Sequence, residues 1–540
     1  MILADEDKEG MDEYFMDAIE DRLGSKIITR GGSRIECTQL CKVAVERARS
    51  IVVLSVGDDP DEADAQSVRC VLALTGGLAA IGKAPTCHLV VELQDVDNAD
   101  VAMLGVVAPM VPEDTVIPVV SHDIIGKLMI QCSREIGLSK SFAALLCFAG
   151  SECYFGQFNS GEGHYEDGMT GKTFTDACYR FEDACVIGVR FANPSDPKVR
   201  EVNPEGRPVM LNPSGDYIMQ YGDRILVLAE DNDTYDYGTS HCPNATPMPP
   251  FELPPPEPEK FLLCGWRRDF DDLITELDKW VPENSSLTLL NGFEEEKMKR
   301  MLADGGMATP KNITTIEYVT GDPCRGRCIE RLGPKIHEDE PDDRTPGSAF
   351  RIEEYDSILM LSEEGRAAGM SADSRVMVSM LVMRHIQVSR KTDKAILVTE
   401  IRDPRTQDLM EFTKCNDAVV GNELVAMILA QISEDRDLGY VMEDLFSEEG
   451  MEMHIKDIRL FAAPDELLSW WDIVSRCTAR NMLPIGWIRK NGDDSQPWSA
   501  NLNPGTSEED VANGITKSTR LAWTGMDYPH GDQLIVISED

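Results

Sequence analysis

An α/β protein built twice is the expectation from this sequence: two tandem modules with parallel sheets, each followed by a small α+β lobe. Two observations carry it. The chain repeats itself in one order at a spacing of roughly 300 residues, the mark of duplicated structural units. Within each copy, apolar runs of strand length alternate with segments of helical periodicity, the pattern of parallel βαβ units. The repeat is clearest at the ends, where Tyr221-Gly-Asp-Arg-Ile-Leu-Val-Leu-Ala-Glu-Asp231 returns as His530-Gly-Asp-Gln-Leu-Ile-Val-Ile-Ser-Glu-Asp540. Val91-Glu-Leu-Gln-Asp95 returns as Thr399-Glu-Ile-Arg-Asp403, Val119-Val-Ser-His-Asp123 as Val419-Val-Gly-Asn-Glu423, and Ala63-Asp-Ala-Gln66 as Ala372-Asp-Ser-Arg375.

The elements follow in order. In the first copy the patterns predict a buried strand over 48–55, a helix over 63–75 (Val68, Val71, Leu72 and Thr75 at helical spacing), a strand over 88–93 and a helix over 97–104. A strand over 115–120 and a long helix over 123–136 close the unit. The second copy repeats that order with strands at 357–361, 395–401 and 418–420 and helices at 372–388 and 423–433. After each α/β half come short strands broken by Gly, Pro and Asn, with Leu211-Asn-Pro213 and Leu502-Asn-Pro504 marking one turn in both copies. The halves read as Rossmann-like. The expected divisions are 1–135 for the first Rossmann-like lobe and 136–242 for a helical connection and its α+β lobe. A Pro-rich extended linker occupies 243–259, the second Rossmann-like lobe 260–435, and its α+β lobe 436–540. An acidic loop over about 333–348 is expected to be mobile.

The copies differ at their beginnings. The second opens with a strand at Phe261-Leu-Leu-Cys264, a turn at Gly265-Trp-Arg-Arg-Asp269, an amphipathic helix to Trp280 and a strand at Leu287-Thr-Leu-Leu290. The first opens at the counterpart of that last strand, Ile2-Leu-Ala4, so its first βα unit is missing. A parallel sheet lacking that strand exposes edges on both sides of the gap. Met1 is therefore expected not to be the natural beginning of the functional polypeptide.

Composition narrows the function. Hydrophobic residues make up 42% of 540, enough for packed cores and against wholesale disorder. The 95 acidic against 52 basic residues give a net charge of −43, which argues against nucleic acid and anionic lipid as partners. Such a surface either is merely solubilising or attracts cations, Ca²⁺ above all. The fifteen cysteines form no zinc spacing, and most sit in apolar runs, as expected in a reducing compartment. No run approaches the roughly 18–20 apolar residues that span a bilayer, and no signal peptide is visible.

Several long motifs resemble the CASTOR/POLLUX ion channels: Phe261-Leu-Leu-Cys-Gly-Trp-Arg-Arg-Asp269, Arg402-Asp-Pro-Arg-Thr406, Asn422-Glu-Leu-Val-Ala-Met427 and Phe446-Ser-Glu-Glu-Gly-Met-Glu-Met-His454 in the second copy, Ser121-His-Asp-Ile-Ile-Gly-Lys-Leu-Met-Ile-Gln-Cys132 in the first, and Ala229-Glu-Asp-Asn-Asp-Thr-Tyr235 before the linker. The resemblance runs the length of the chain. It implies tandem RCK-type (regulator of K⁺ conductance) modules behind a membrane pore, assembled by four subunits into a gating ring whose response to Ca²⁺ controls a cation pathway, in a nuclear or other intracellular membrane. The pore helices of that family have no counterpart in this sequence. The alternatives are a NAD-dependent oxidoreductase on the same fold, or a soluble oligomerising scaffold.

Candidate sites follow from the topology. Ligands collect at the carboxyl ends of strands in open α/β sheets. There the first copy carries Asp58, Asp59, Asp61, Glu62 and Asp64, whose oxygens are the candidate Ca²⁺ ligands, against the plainer reading of a solvated loop with Asp as helix cap. Glu92 with Asp95, and Glu400 with Asp403, are a second cation locus or, more simply, helix-start caps. No NAD is expected, because Trp266 and Arg267 stand where the fingerprint needs glycines. An ion pair of Arg267 or Arg268 with Asp269 or Asp271 is the expected use of that turn. His122-Asp123 has no nucleophile beside it and its counterpart is Asn422-Glu423, so it reads as helix capping. No catalytic residues are assigned and no enzyme is expected.

Overall fold

The computed structural model describes residues 1–539 except 20, 23, 58, 105–114, 149, 160–167, 242, 244–248, 250, 253, 333–350, 364–370, 393–394, 412–416, 448–449, 465, 490–499 and 526–530. The expected acidic loop lies outside the described residues. The chain divides into two compact units, one of Met1–Ile124 with Val425–Gly439, the other of Ile125–Leu424 with Tyr440–Asp540.

The first unit holds strands β1 (Ile2–Ala4), β2 (Thr29–Gly31), β3 (Ser50–Val53), β4 (His88–Leu93) and β5 (Val116–Val120). β1 and β2 pair in parallel as one sheet, and β3-β4-β5 form a second parallel sheet. The helix Pro60–Leu72 starts from an Asp59 cap with proline in its first turn, both strong start signals. Its Cys70 and Val71 join Leu89, Val91 and Leu93 of β4 in one core.

The second unit contains an α+β lobe of β6 (Glu152–Gly156), β7 (Ala184–Arg190), β8 (Val209–Leu211) and β9 (Arg224–Ala229), antiparallel in the order β6-β9-β7-β8. It also contains the complete parallel sheet of β10 (Lys260–Cys264), β11 (Ser285–Asn291), β12 (Ile313–Thr320), β13 (Ser357–Met360), β14 (Ile396–Ile401) and β15 (Asp417–Val420), in the order β12-β11-β10-β13-β14-β15. A second α+β lobe follows, of β16 (Glu452–Asp457), β17 (Leu467–Leu468), β18 (Leu483–Ile488), β19 (Asn501–Leu502), β20 (Leu521–Ala522) and β21 (Gln533–Ser538). Its main sheet, β16-β21-β18-β19, repeats the order of the first lobe, and β17 pairs with β20.

The duplication extends to irregular details. β7 and β18 each carry a bulge, just before Gly188 and Gly486. A Cβ on either glycine would fall 2.5 Å from a carbonyl oxygen of the adjacent strand, that of Met210 or of Asn501. Asp223 and Asp532, the aspartates of the repeated Gly-Asp, are both buried and accept backbone N–H groups, from Ala192 and Gln220 in one lobe and from Thr524 in the other. The turn residues Asn212 and Asn503 both adopt left-handed φ, 37° and 49°.

The linker is less free than its composition predicts. Residues 242, 244–248, 250 and 253 lie outside the described residues. Among the described linker residues the Phe251 ring lies 4.6 Å from the Arg459 guanidinium, and Glu259 N donates to Ser285 Oγ at 3.0 Å. An aromatic and a backbone partner tie down a segment whose prolines alone would leave it extended.

Candidate functional site

Three places in this fold gather buried polar side chains: the helices that close each sheet, the paired α+β lobes, and the carboxyl edges of the parallel strands.

Each Rossmann-like sheet is closed by the other copy's helix. In the first unit, the segment Val425–Gly439 of the second copy lies on the first copy's strands, with His88 Nε2 3.1 Å from the Ile432 carbonyl. In the second unit, the first copy's helices Ser121–Arg134 and Leu138–Leu146 lie on the second copy's sheet. Gly137 N donates to Asp417 Oδ2 at 2.7 Å, the Ser139 hydroxyl donates to the other oxygen, and the Ser357 hydroxyl donates to the Ser133 carbonyl. Phe142 stacks on Phe446 with centroids 4.8 Å apart. Asp417 is wholly buried, and burial pushes its carboxyl up to about 7 against the pull of those two donors.

The two α+β lobes meet reciprocally. Asn503 Nδ2 donates to the Asp183 carbonyl at 2.8 Å, and Asn212 Nδ2 donates to the Asn481 carbonyl at 2.9 Å. Asn212 and Asn503 are equivalent, and so are Asp183 and Asn481, each just ahead of β7 or β18, so the contact is isologous within one chain. One feature breaks the symmetry. The helices Phe174–Cys178 and Trp470–Thr478 each open with a capping box, and the first N–H of each bonds to the carbonyl of Tyr217 or of Lys517. Tyr217 turns inward to donate to Asp223 at 2.6 Å, whereas Lys517 is 1% exposed and reaches into the opposite lobe. Its ammonium donates to the carbonyls of Ala184 and Phe181 at 2.5 and 3.3 Å, and burial pushes its pKa down. Replacing Lys517 with methionine is expected to cost about 1–3 kcal/mol, the scale of carbonyls left without donors. Urea unfolding checks this, and a variant as stable as the parent would show that the lysine holds nothing.

The carboxyl edges are built alike in both copies, for a structural reason. Asp64 is 1% exposed, and its carboxylate accepts the N–H groups of Gln94 and Asp95 and the Asn98 amide, at 2.8–3.0 Å. Asp373 does the same for the N–H groups of Arg402 and Asp403. Glu92 accepts Ser55 N and Glu400 accepts Ser362 N, both at 2.9 Å. Asp95 and Asp403 accept the N–H two residues on, as caps do. These carboxylates hold backbone at strand ends, and Asp64 among them accepts backbone N–H groups with both of its oxygens. Of the other candidates, Asp59 caps its helix, Glu62 accepts from Gln66, Asp61 lies in the first turn, and Asp58 is outside the described residues. Among the described residues no group of three or more His, Cys, Asp and Glu side chains converges as metal ligands.

In the second copy the first βα turn is filled by its own side chains. Gly265, at φ 102°, passes so close to β13 that a Cβ would sit 2.8 Å from the Leu361 carbonyl. Trp266 stacks on Phe270 at 4.4 Å. Arg267, 3% exposed, forks onto Asp269 at 3.0 and 2.7 Å and lies 3.6 Å from buried Glu400. Beside it, Arg375 bridges Glu363 and Asp322, both at 3.3 Å. The cavity left among Cys264, Gly265, Leu361, Glu363 and Arg375 is about 10 Å³, room for one water.

Two copies of a Rossmann-like sheet with an α+β lobe, closed by each other's helices, define a tandem RCK-type α/β protein. The backbone shows the same fold as the human SLO3 gating ring, with a TM-score of 0.60 over 94% of this chain and 91% of that one at 10% identity. In sequence the chain is similar to the CASTOR/POLLUX ion channels along nine-tenths of its length. A family model described as "Castor and Pollux, part of voltage-gated ion channel" matches residues 122–244. The ion channel CASTOR of Lotus japonicus is 32% identical over 519 residues, which are 91% of this chain and 56% of the relative. The probable ion channel POLLUX of Oryza sativa subsp. japonica is 32% identical over 524 residues, 92% of this chain and 49% of the relative. The chain thus spans about half the length of the curated relatives it matches. No described helix is long and apolar enough to cross a membrane.

Proposed function

We propose that this chain is the regulatory gating-ring region of a CASTOR/POLLUX-like cation channel, responding to Ca²⁺ and passing the response to a pore-forming membrane segment. The exchange of closing helices carries this reading. A ligand that alters one sheet moves a helix belonging to the other copy, and such coupling turns a local binding event into a rearrangement of both. The net charge of −43 favours a cation as that ligand. The proposed ligands are Asp58, Asp59, Asp61, Glu62 and Asp64, in the stretch of sequence that follows β3. Calorimetric titration of the full chain with CaCl₂, together with its mass by light scattering, tests the reading. Expected are a saturable heat, lost in the combined Asp59→Asn, Asp61→Asn, Glu62→Gln variant, and a tetramer. A folded tetramer giving no heat would remove Ca²⁺ from the proposal, and a Ca²⁺-binding monomer would remove the ring. The other reading, an NAD-dependent oxidoreductase, is disfavoured by the turn at Gly265. Trp266 and Arg267 stand where the dinucleotide fingerprint needs glycines, which supports the reading without NAD.

A further inference from the structure

Two equivalent helix ends meet two equivalent strands in this fold, and the space between them is filled differently. The helices are Leu138–Leu146 and Leu438–Leu445, and the strands are β19 and β8, which pair through Leu502 with Gly486 and through Leu211 with Gly188. On the β8 side charge closes the space. Arg207, just ahead of β8, donates to Asp444, to Glu443 at 3.0 Å and to the Tyr440 carbonyl at 3.4 Å. On the β19 side Ala143 and Ala144 stand at the positions of Glu443 and Asp444. A cavity of about 390 Å³ is left there, bordered by Ala144 and Cys147 at the helix end and by Leu502 of β19. Its volume falls within the roughly 300–1,000 Å³ of small-molecule sites.

The polar wall of the cavity is Ser151, Glu230, Asn501, Thr506, Ser507 and Glu509. Three of these come from the connection after β19, which is longer than its counterpart: thirty positions separate Leu502 from Asp532, and twelve separate Leu211 from Asp223. Half of the wall is already engaged. The Asn501 amide donates to Asp510 at 3.0 Å, the Thr506 hydroxyl donates to the Asn503 carbonyl at 2.7 Å, and Ser507 Oγ accepts Asp510 N at 3.2 Å. Ser151 is not engaged: it is 8% exposed, and among the described residues its hydroxyl has no hydrogen-bond partner. Glu230 and Glu509 have no ion-pair partner among the described residues, and no described Lys, Arg or His lines the cavity. The acceptors are in place without the guanidinium that completes the equivalent site.

We propose that this cavity binds a small organic cation, an aliphatic amine or guanidinium of the size of agmatine. Its cationic groups face Glu230 and Glu509, the Ser151 hydroxyl accepts from one of them, and its methylenes lie along Ala144, Cys147 and Leu502. Bound there, the cation does on this side what Arg207 does on the other. It also touches Leu138–Leu146, which packs through Phe142 on Phe446, together with residues of both α+β lobes, so it biases how they are held. The site is independent of whether Ca²⁺ is the regulator.

Equilibrium dialysis of the full chain against radiolabelled agmatine tests this, in KCl at about 150 mM so that attraction to the acidic surface at large is screened. Expected is saturable binding of one agmatine per chain. Glu230→Gln combined with Glu509→Gln should weaken it on the order of tenfold or more, the scale of a lost charge-assisted contact. Ala144→Met, which fills the cavity from the helix, should abolish it. Glu295→Gln with Glu296→Gln, on an exposed helix elsewhere, should leave it unchanged. Thermal unfolding shows which variants are folded, and the glutamate pair, being exposed, decides the matter if Ala144→Met is not. Absence of saturable binding overturns the proposal. Equal affinity in all the folded variants overturns it too, because agmatine then answers only to net charge. So does one-for-one displacement by CaCl₂ at equal concentration, which would make this a metal site.

Discussion

Replacing Arg267 with alanine is expected to cost about 3–5 kcal/mol of folding stability, the scale for breaking a buried ion pair from one side. The guanidinium is 3% exposed and holds two carboxylates, Asp269 through a two-pronged contact and Glu400 at 3.6 Å. Glu400 is itself 6% exposed and spends one oxygen on Ser362 N, so without Arg267 a charge stays buried at the end of β14. Urea unfolding measures the loss. Adding Glu400→Gln to Arg267→Ala should recover part of it, because the stranded charge is then gone. A single variant within about 1 kcal/mol of the parent would mean that the pair is no more than a surface contact.

The second large effect is a pH dependence set by Asp417. Its carboxyl is pushed up to about 7 by burial, against about 3.9 for a solvated aspartate. Between those values the unfolded chain has released a proton that the folded chain keeps. Stability therefore falls as pH rises from about 4 to about 7 and levels off above. Asp444, pushed up to about 6 by burial despite its bond from Arg207, tilts the curve the same way. Asp417→Asn keeps an oxygen for Gly137 N or the Ser139 hydroxyl and cannot ionise. It should be more stable than the parent at pH 8, by on the order of 2 kcal/mol, and show a shallower fall between pH 5 and 8. Lys140, whose charge pulls the same carboxyl down, is unchanged by the substitution. Parallel unfolding curves for the two proteins across that range would take Asp417 out of the account.

Much of the fold was legible from periodicity. The strand expected over 88–93 is β4 itself, and the helices expected over 97–104 and 372–388 lie at Asp97–Leu104 and Ala372–Ser389. These segments bury one stripe or one full run of side chains, so pattern and structure share a cause. The ion pair of Arg267 with Asp269 was also within reach, because the two lie on one tight turn. The exchanged helices were not. Ser121–Arg134 has the same amphipathic pattern whichever sheet it covers, and nothing local tells Gly137 that its partner is Asp417, 280 positions away. The bonds of Asp64 were out of reach for the same reason, since nothing local tells it that the N–H groups of Gln94 and Asp95 fold against its carboxylate.

By itself the sequence determined that the protein is a duplication and that each copy is a parallel α/β sheet with an α+β lobe. Those are properties of local period and of one copy set against the other. Only the tertiary structure decided which copy's helix closes which sheet, that Asn212 and Asn503 reach reciprocally between the lobes, and that Lys517 crosses where its counterpart Tyr217 turns inward. These depend on backbone carbonyls and N–H groups brought together from distant segments. Such groups are identical along the chain and carry no sequence signal, so their pairing exists only once the fold has placed them.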